Sequence, residues 1–255
     1  MSLKSISQSI SQAKVSWNIW IMHTLLGTRP MMKRVQELCE KTVPYEQNTG
    51  KNDRELIVTF GDSTCIGVWA SEPSRSLVWL IGTRFPEATI HNRWVIWATI
   101  ESTMKQIELF METFPKKEVW KVFLIVGGND ITDNLLTRHH TFAQKTEQKL
   151  RILLKLARAV SEDIVYITPW NLWATFWLTG ILGTSTMREM ITNKARVLSI
   201  LAGSVGKDYN IPVSSNFREP DMDPIARDRT LAGDDGIHPS DAGYALAFER
   251  IQALL

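Results

Sequence analysis

Residues Leu56 to Gly67, reading LIVTFGDSTCIG, turn abruptly from an uninterrupted apolar run into a tight polar turn, and that change limits the chain to few folds. Leu56 to Phe60 form a short run that carries the β-branched residues Ile57, Val58 and Thr59. No polar alternation interrupts it, which is the pattern of a strand covered on both faces by helices. Gly61 ends the run, and Asp62 and Ser63 follow with side chains suited to capping the turn. Open α/β sheets place their chemistry at the carboxyl ends of strands. A serine at this point is therefore either a turn cap or a nucleophile.

The rest of the chain repeats the alternation. Further strands are predicted at Thr89 to Val95, Val122 to Val126, Ile164 to Thr168 and Ile211 to Ser214. Helical patterns separate or follow them at Ser74 to Phe85, Ser102 to Thr113, Phe142 to Val160, Ser185 to Asp208 and Ser240 to Leu254. Strand and helix in turn mean an α/β fold with a parallel sheet and right-handed crossovers. At 255 residues, 44% hydrophobic and 22% charged, the chain fits one such domain with a modest extension. Lys and Arg number 29 against 27 Asp and Glu. That balance, with no basic stripe, argues against a nucleic-acid partner. Cys39 and Cys65 alone make no disulfide framework.

Residues 1–54 read as an N-terminal extension, and residues 55–255 as the domain. The apolar stretch Val15 to Leu26 is broken by Asn18 and His23 and is shorter than the roughly 20 residues that span a bilayer. Lys4 and Lys14 precede it, but no small-x-small cleavage pattern follows Leu26, so secretion is not the expectation. A helix packed on the domain or held loosely at a membrane face is expected, with Arg29, Lys33 and Arg34 favouring the cytoplasmic side. Tyr45 to Asp53 reads as a linker.

Three polar clusters fall at strand ends or after the last strand. They are Gly61-Asp62-Ser63, then Gly127-Gly128-Asn129-Asp130, then Asp235-Gly236-Ile237-His238 before Pro239. Ester hydrolysis by serine needs a base for the hydroxyl proton, an acid to orient that base, and donors aimed at the developing oxyanion. Ser63 would attack, His238 would be the base, and Asp235 would hold the other imidazole nitrogen. The Asn129 amide and the Ser63 backbone N–H would face the oxyanion. Singly, each residue is as well explained by a turn or a loop; the combination in this order is what points to catalysis.

With these residues in place the chain resembles the SGNH or GDSL hydrolases. Their first motif, Gly-Asp-Ser, matches Gly61-Asp62-Ser63; Gly-x-Asn-Asp matches Gly127 to Asp130; Asp-x-x-His matches Asp235 to His238. The resemblance covers roughly residues 56 to 255. It implies a three-layer αβα sandwich of flavodoxin-like kind with a five-stranded parallel sheet. It also implies the catalytic roles just given, and an oxyanion donor from a further motif, Asn-x-Gly-Val-x-Gly-Ala-Thr. Here that string is Asn92-Arg93-Trp94-Val95-Ile96-Trp97-Ala98-Thr99, with Trp94 and Trp97 in both glycine places. Trp69 likewise stands where the turn after the nucleophile often has glycine. Such tryptophans are either an apolar rim or glycines of a source that reads UGA as glycine, translated here as tryptophan. On the first reading the Trp97 backbone N–H still donates to the oxyanion.

The implied activity is hydrolysis of carboxylic esters or thioesters through an acyl-enzyme. The apolar side chains Leu172, Phe176, Leu178, Ile181 and Leu182 after the fourth strand favour small apolar acyl or aryl groups. A carbohydrate O-deacetylase of the same fold and a catalytically impaired binding module are the alternatives. An α/β-hydrolase is disfavoured, since Cys65 occupies the last place of Gly-x-Ser-x-Gly. No cofactor or metal is expected: His139 and His140 are adjacent, His23 and His91 have no partner at ligand spacing, and no Gly-rich phosphate loop occurs. The expected partner is a small-molecule ester. The sequence leaves the oligomeric state open.

Overall fold

The computed structural model describes residues 46–47, 55–115, 118–169, 185–217, 228–233 and 238–255. By contacts the chain divides into Met1–Tyr45 and Glu46–Leu255, and the second unit holds everything described below. The apolar segment Val15 to Leu26 and the stretch Leu172 to Leu182 lie outside the described residues. Among the described residues no helix is long and apolar enough to cross a membrane.

The strands are β1 (Glu46–Gln47), β2 (Leu56–Gly61), β3 (Thr89–Trp94), β4 (Lys121–Ile125), β5 (Asp163–Ile167) and β6 (Val213–Ser214). They form one sheet in the order β1-β3-β2-β4-β5-β6. From β3 to β6 every pairing is parallel, so the expected five-stranded parallel sheet is present in the flavodoxin-like order. Glu46–Gln47 correct the linker reading, because they pair antiparallel with Ile90 and His91 at the edge. A two-residue polar edge strand is held by its backbone and leaves no side-chain signal to read.

Strand alternation explains the layers. In β2, β4 and β5 one set of side chains, Leu56, Val58, Phe60, Val122, Leu124, Ile164 and Tyr166, joins one buried cluster. The other set, Ile57, Phe123, Ile125, Val165 and Ile167, joins a second. Side chains alternate across a strand, so the two clusters lie on opposite faces. The first face is covered by α3 (Ile100–Thr113), α5 (His139–Val160) and α6 (Ser185–Asp208). The second face is covered by α2 (Leu77–Arg84) and α7 (Asp241–Ile251). This is the three-layer sandwich, and it accounts for strands that are apolar on both sides. Truncating a central side chain such as Leu124, which is fully buried, costs about 2–5 kcal/mol.

Two short helices were not foreseen, α1 (Ser63–Ile66) and α4 (Gly128–Asp133). Both begin directly after a central strand, β2 and β4, which are neighbours in the sheet. Strand order reverses at that pair, and open α/β sheets bind their ligands in the crevice there.

Candidate active site

Ser63 is the first residue of α1, with Asp62 as its N-cap. The Thr64 N–H donates to Asp62 Oδ1 at 2.9 Å, which satisfies one of the orphan donors that begin a helix. Burial pushes the Asp62 carboxyl up, opposed by the Thr64 hydrogen bonds and by His238. Gly61 is required by close approach: a Cβ there would lie 2.1 Å from the Ile125 carbonyl oxygen. Without it β2 and β4 could not come together beneath the serine. Burial, aided by the Asp62 charge, pushes the Cys65 thiol well up, so this cysteine is an inert wall residue and not a nucleophile.

His238 reaches the same point from the far end of the chain. Ser63 Oγ and His238 Nε2 are 2.7 Å apart, the separation of a good hydrogen bond. Each residue is 8% exposed, so the pair meets solvent only through a small opening. Several contacts set this approach. The Gly233 N–H donates to the His238 carbonyl at 2.8 Å and the Ser240 N–H to that of Leu231 at 3.0 Å, while Ala232 and Pro239 form an antiparallel bridge. The start of α7 is then tied to the loop behind the serine. Asp241 accepts from the Ser71 N–H at 2.7 Å and the Ser71 hydroxyl at 2.5 Å. The Tyr244 hydroxyl donates to the Val68 carbonyl at 2.9 Å. Asp235 lies outside the described residues.

The expected oxyanion side is built from α4 and the loop before α3. Gly127 enters α4 with a left-handed φ of 125° and brings buried Asn129 and Asp130 against residues 97–100. Asn129 Nδ2 donates to the Ala98 carbonyl at 2.9 Å, which uses one of its two amide hydrogens and leaves the other for a ligand. Asp130 Oδ2 accepts from the Ile100 N–H at 2.8 Å, at the first turn of α3. Burial raises the Asp130 carboxyl to about 6; the Ile100 N–H and Lys149 oppose the rise, and Asp133 and Asp62 add to it. Lys149 Nζ is 3.9 Å from Asp130 and 3.4 Å from Glu101. Two neighbouring residues of one turn thus clamp the loop that carries Trp97. Trp97 itself is left-handed, at φ 63°, and Trp69 in the loop after α1 is too, at φ 69°. A side chain with a Cβ costs about 1–2 kcal/mol in that region.

Two supports escaped the sequence. Gln106 of α3 clamps Gly61: its Oε1 accepts from the Gly61 N–H at 3.2 Å and its Nε2 donates to the Gly61 carbonyl at 3.1 Å. Asn92 of β3 donates to the Cys65 carbonyl at 2.7 Å and accepts from the Thr59 hydroxyl at 2.5 Å, holding α1 against the sheet. Gln106 sits on an amphipathic helix where polar residues abound. Asn92 gave a faint signal, a polar side chain inside an otherwise strand-like run.

A serine paired with a histidine at the switch point of a five-stranded parallel sheet, with an amide and a clamped loop beside it, defines an α/β protein of hydrolase type. Residues 59–246 match the description "GDSL-like Lipase/Acylhydrolase family", and the chain belongs to that family. No protein of curated function matches it. Among solved structures it is similar to a member of the lipolytic protein G-D-S-L family from Veillonella parvula (17% identity, 79% of this chain and 98% of that one, TM-score 0.59). A lipase/acylhydrolase from Enterococcus faecalis aligns at 21% identity over 77% of this chain and 93% of its own, with TM-score 0.52. A carbohydrate acetylesterase family member from Sinorhizobium meliloti aligns at 12% identity over 78% and 96%, with TM-score 0.53.

Proposed function

We propose that the chain is a serine esterase that cleaves carboxylic esters of small acyl or aryl groups through an acyl-enzyme on Ser63. The observation that carries this reading is the 2.7 Å contact between Ser63 Oγ and His238 Nε2, made by residues 175 positions apart. His238 takes the hydroxyl proton as Ser63 Oγ bonds to the substrate carbonyl carbon, and the carbonyl oxygen becomes an oxyanion. The Ser63 N–H at the start of α1, the backbone N–H of residue 97 and the free hydrogen of Asn129 Nδ2 are the assigned donors. Collapse breaks the ester bond, and the alcohol leaves with the proton that His238 held. Water then gives a proton to His238, attacks the acyl group and frees Ser63 with release of the acid. Asp235, three residues before His238, is assigned to the second imidazole nitrogen. The family membership supports the reaction class.

The test is a panel of aryl esters of graded acyl length, with an acetylated oligosaccharide included, run on the chain and on Ser63→Ala. Turnover that favours the short esters and vanishes in Ser63→Ala is expected. Turnover that survives Ser63→Ala sinks the assignment, and turnover confined to the oligosaccharide moves the substrate to sugar acetates.

A further inference from the structure

Two four-residue turns flank the site, and each puts a tryptophan where the backbone turns left-handed. The Ala70 N–H donates to the Gly67 carbonyl at 2.9 Å, and the Ala98 N–H to the Val95 carbonyl at 3.0 Å. In both turns the third residue has positive φ, 69° at Trp69 and 63° at Trp97, while the second, Val68 or Ile96, does not. That sign pattern is the type II turn, whose third position takes glycine, or sometimes asparagine, because a Cβ is crowded there. Asn210, at φ 54°, is the other left-handed residue besides glycine among those described, and asparagine is at home in that region. Tryptophan is not.

The coincidence is too regular for chance. Five tryptophans are described, at 69, 79, 94, 97 and 120, and two of them are left-handed, against a few per cent of non-glycine residues in general. The chain also holds ten tryptophans to nine phenylalanines and four tyrosines, an unusual order for the rarest and largest of the three. We infer that residues 69 and 97 are glycine in the working protein, and that its gene encodes them with UGA. That codon is read as tryptophan in one variant genetic code and as glycine in another. Reading it under the wrong code puts tryptophan at every such glycine and leaves the UGG tryptophans untouched. Trp94 is not left-handed, so its backbone makes no claim either way.

Both positions bear on the site. The loop of residue 97 is held by Asn129 and Asp130, so an indole there stands beside the assigned oxyanion donors. The Trp69 ring lies over Gly233, where an added Cβ would fall 2.5 Å from Trp69 Cγ, and Gly233 is bonded to His238. Neither turn depends on what the site hydrolyses.

The deciding experiment is peptide mass spectrometry of the protein isolated from the cells that naturally carry the gene, over the peptides containing residues 69 and 97. Glycine at both is expected, and tryptophan at either overturns the inference. A second measurement on the chain as written isolates the backbone requirement, comparing Trp97→Gly with Trp97→Ala, which both remove the indole and differ only in the Cβ. At a left-handed slot the glycine variant should unfold about 2–4 °C above the alanine one. An alanine variant as stable as the glycine one, or more stable, would show that position 97 is no glycine slot and overturn the inference there.

Discussion

Replacing Asp130 by Asn should make the protein more stable near neutral pH and remove a pH dependence expected of the wild type. The Asp130 carboxyl is 2% exposed; the cation beside it, Lys149 at 3.9 Å, is shared with Glu101, and the Asp133 and Asp62 carboxylates push the Asp130 carboxyl further up. Burial lifts it from 3.8 to about 6. The folded chain therefore keeps a proton that the unfolded chain has already released. The stability that this group contributes is complete below its unfolded value of 3.8 and is lost as pH rises through about 6. A difference of roughly 2 units, at about 1.36 kcal/mol each, makes the buried charge cost on the order of 3 kcal/mol at neutral pH. An asparagine of the same shape keeps an oxygen for the Ile100 N–H and carries no charge. Some of the gain is offset, because that hydrogen bond weakens when its acceptor loses charge. Urea unfolding of both proteins across about pH 4 to 8 measures the effect. The variant should gain on the wild type by roughly 2–3 kcal/mol between the two ends, with most of the change falling between the unfolded value of 3.8 and the folded value of about 6 and little above it. A difference between the two that stays constant with pH would refute the reasoning.

The other expectations concern turnover and are read most clearly with glycine at position 97. Asn129→Ala should lower kcat about 10²- to 10³-fold with little change in KM, since its free amide hydrogen is assigned to charge that exists only in the transition state. A loss confined to KM would make Asn129 a binding or turn residue. Gln106→Ala removes both side-chain bonds to Gly61 and should cost about 1–3 kcal/mol of stability. It should lower kcat more than KM, with Gln106→Glu failing to restore it because the amide N–H that donates to the Gly61 carbonyl is lost; unchanged kcat would leave Gln106 a merely structural prop. His238→Ala should abolish turnover, because the proton of the Ser63 hydroxyl then has no base to receive it. Turnover surviving in His238→Ala would remove His238 from that role.

The sheet was legible in the sequence because strands buried on both faces are apolar throughout, and Leu56 to Phe60 and Val122 to Val126 could be mistaken for little else. The helices that pack on it were legible from their apolar spacing. What escaped notice had no pattern to give. The edge strand at Glu46–Gln47 is two polar residues paired through backbone, and α1 and α4 are four and six residues long, too short for a helical period. At the site Ser63, Asn129 and His238 could be named from local motifs, and Ser63 and His238 do meet. The contacts that hold them could not be named. Gln106 reaches Gly61 across 45 positions and Tyr244 reaches Val68 across 176, and no local pattern encodes such pairings. Trp97 was conspicuous as a departure from the family string, but its left-handed backbone could not be read from the sequence.

The most direct measurement of the central claim is covalent labelling with a fluorophosphonate, followed by peptide mass spectrometry, on the chain as written and on Trp97→Gly. An assembled Ser63–His238 pair should give one adduct per chain, located on Ser63, and faster in the Trp97→Gly form. The adduct should disappear in His238→Ala. Absence of labelling in both forms, or an adduct on another residue, would contradict the account.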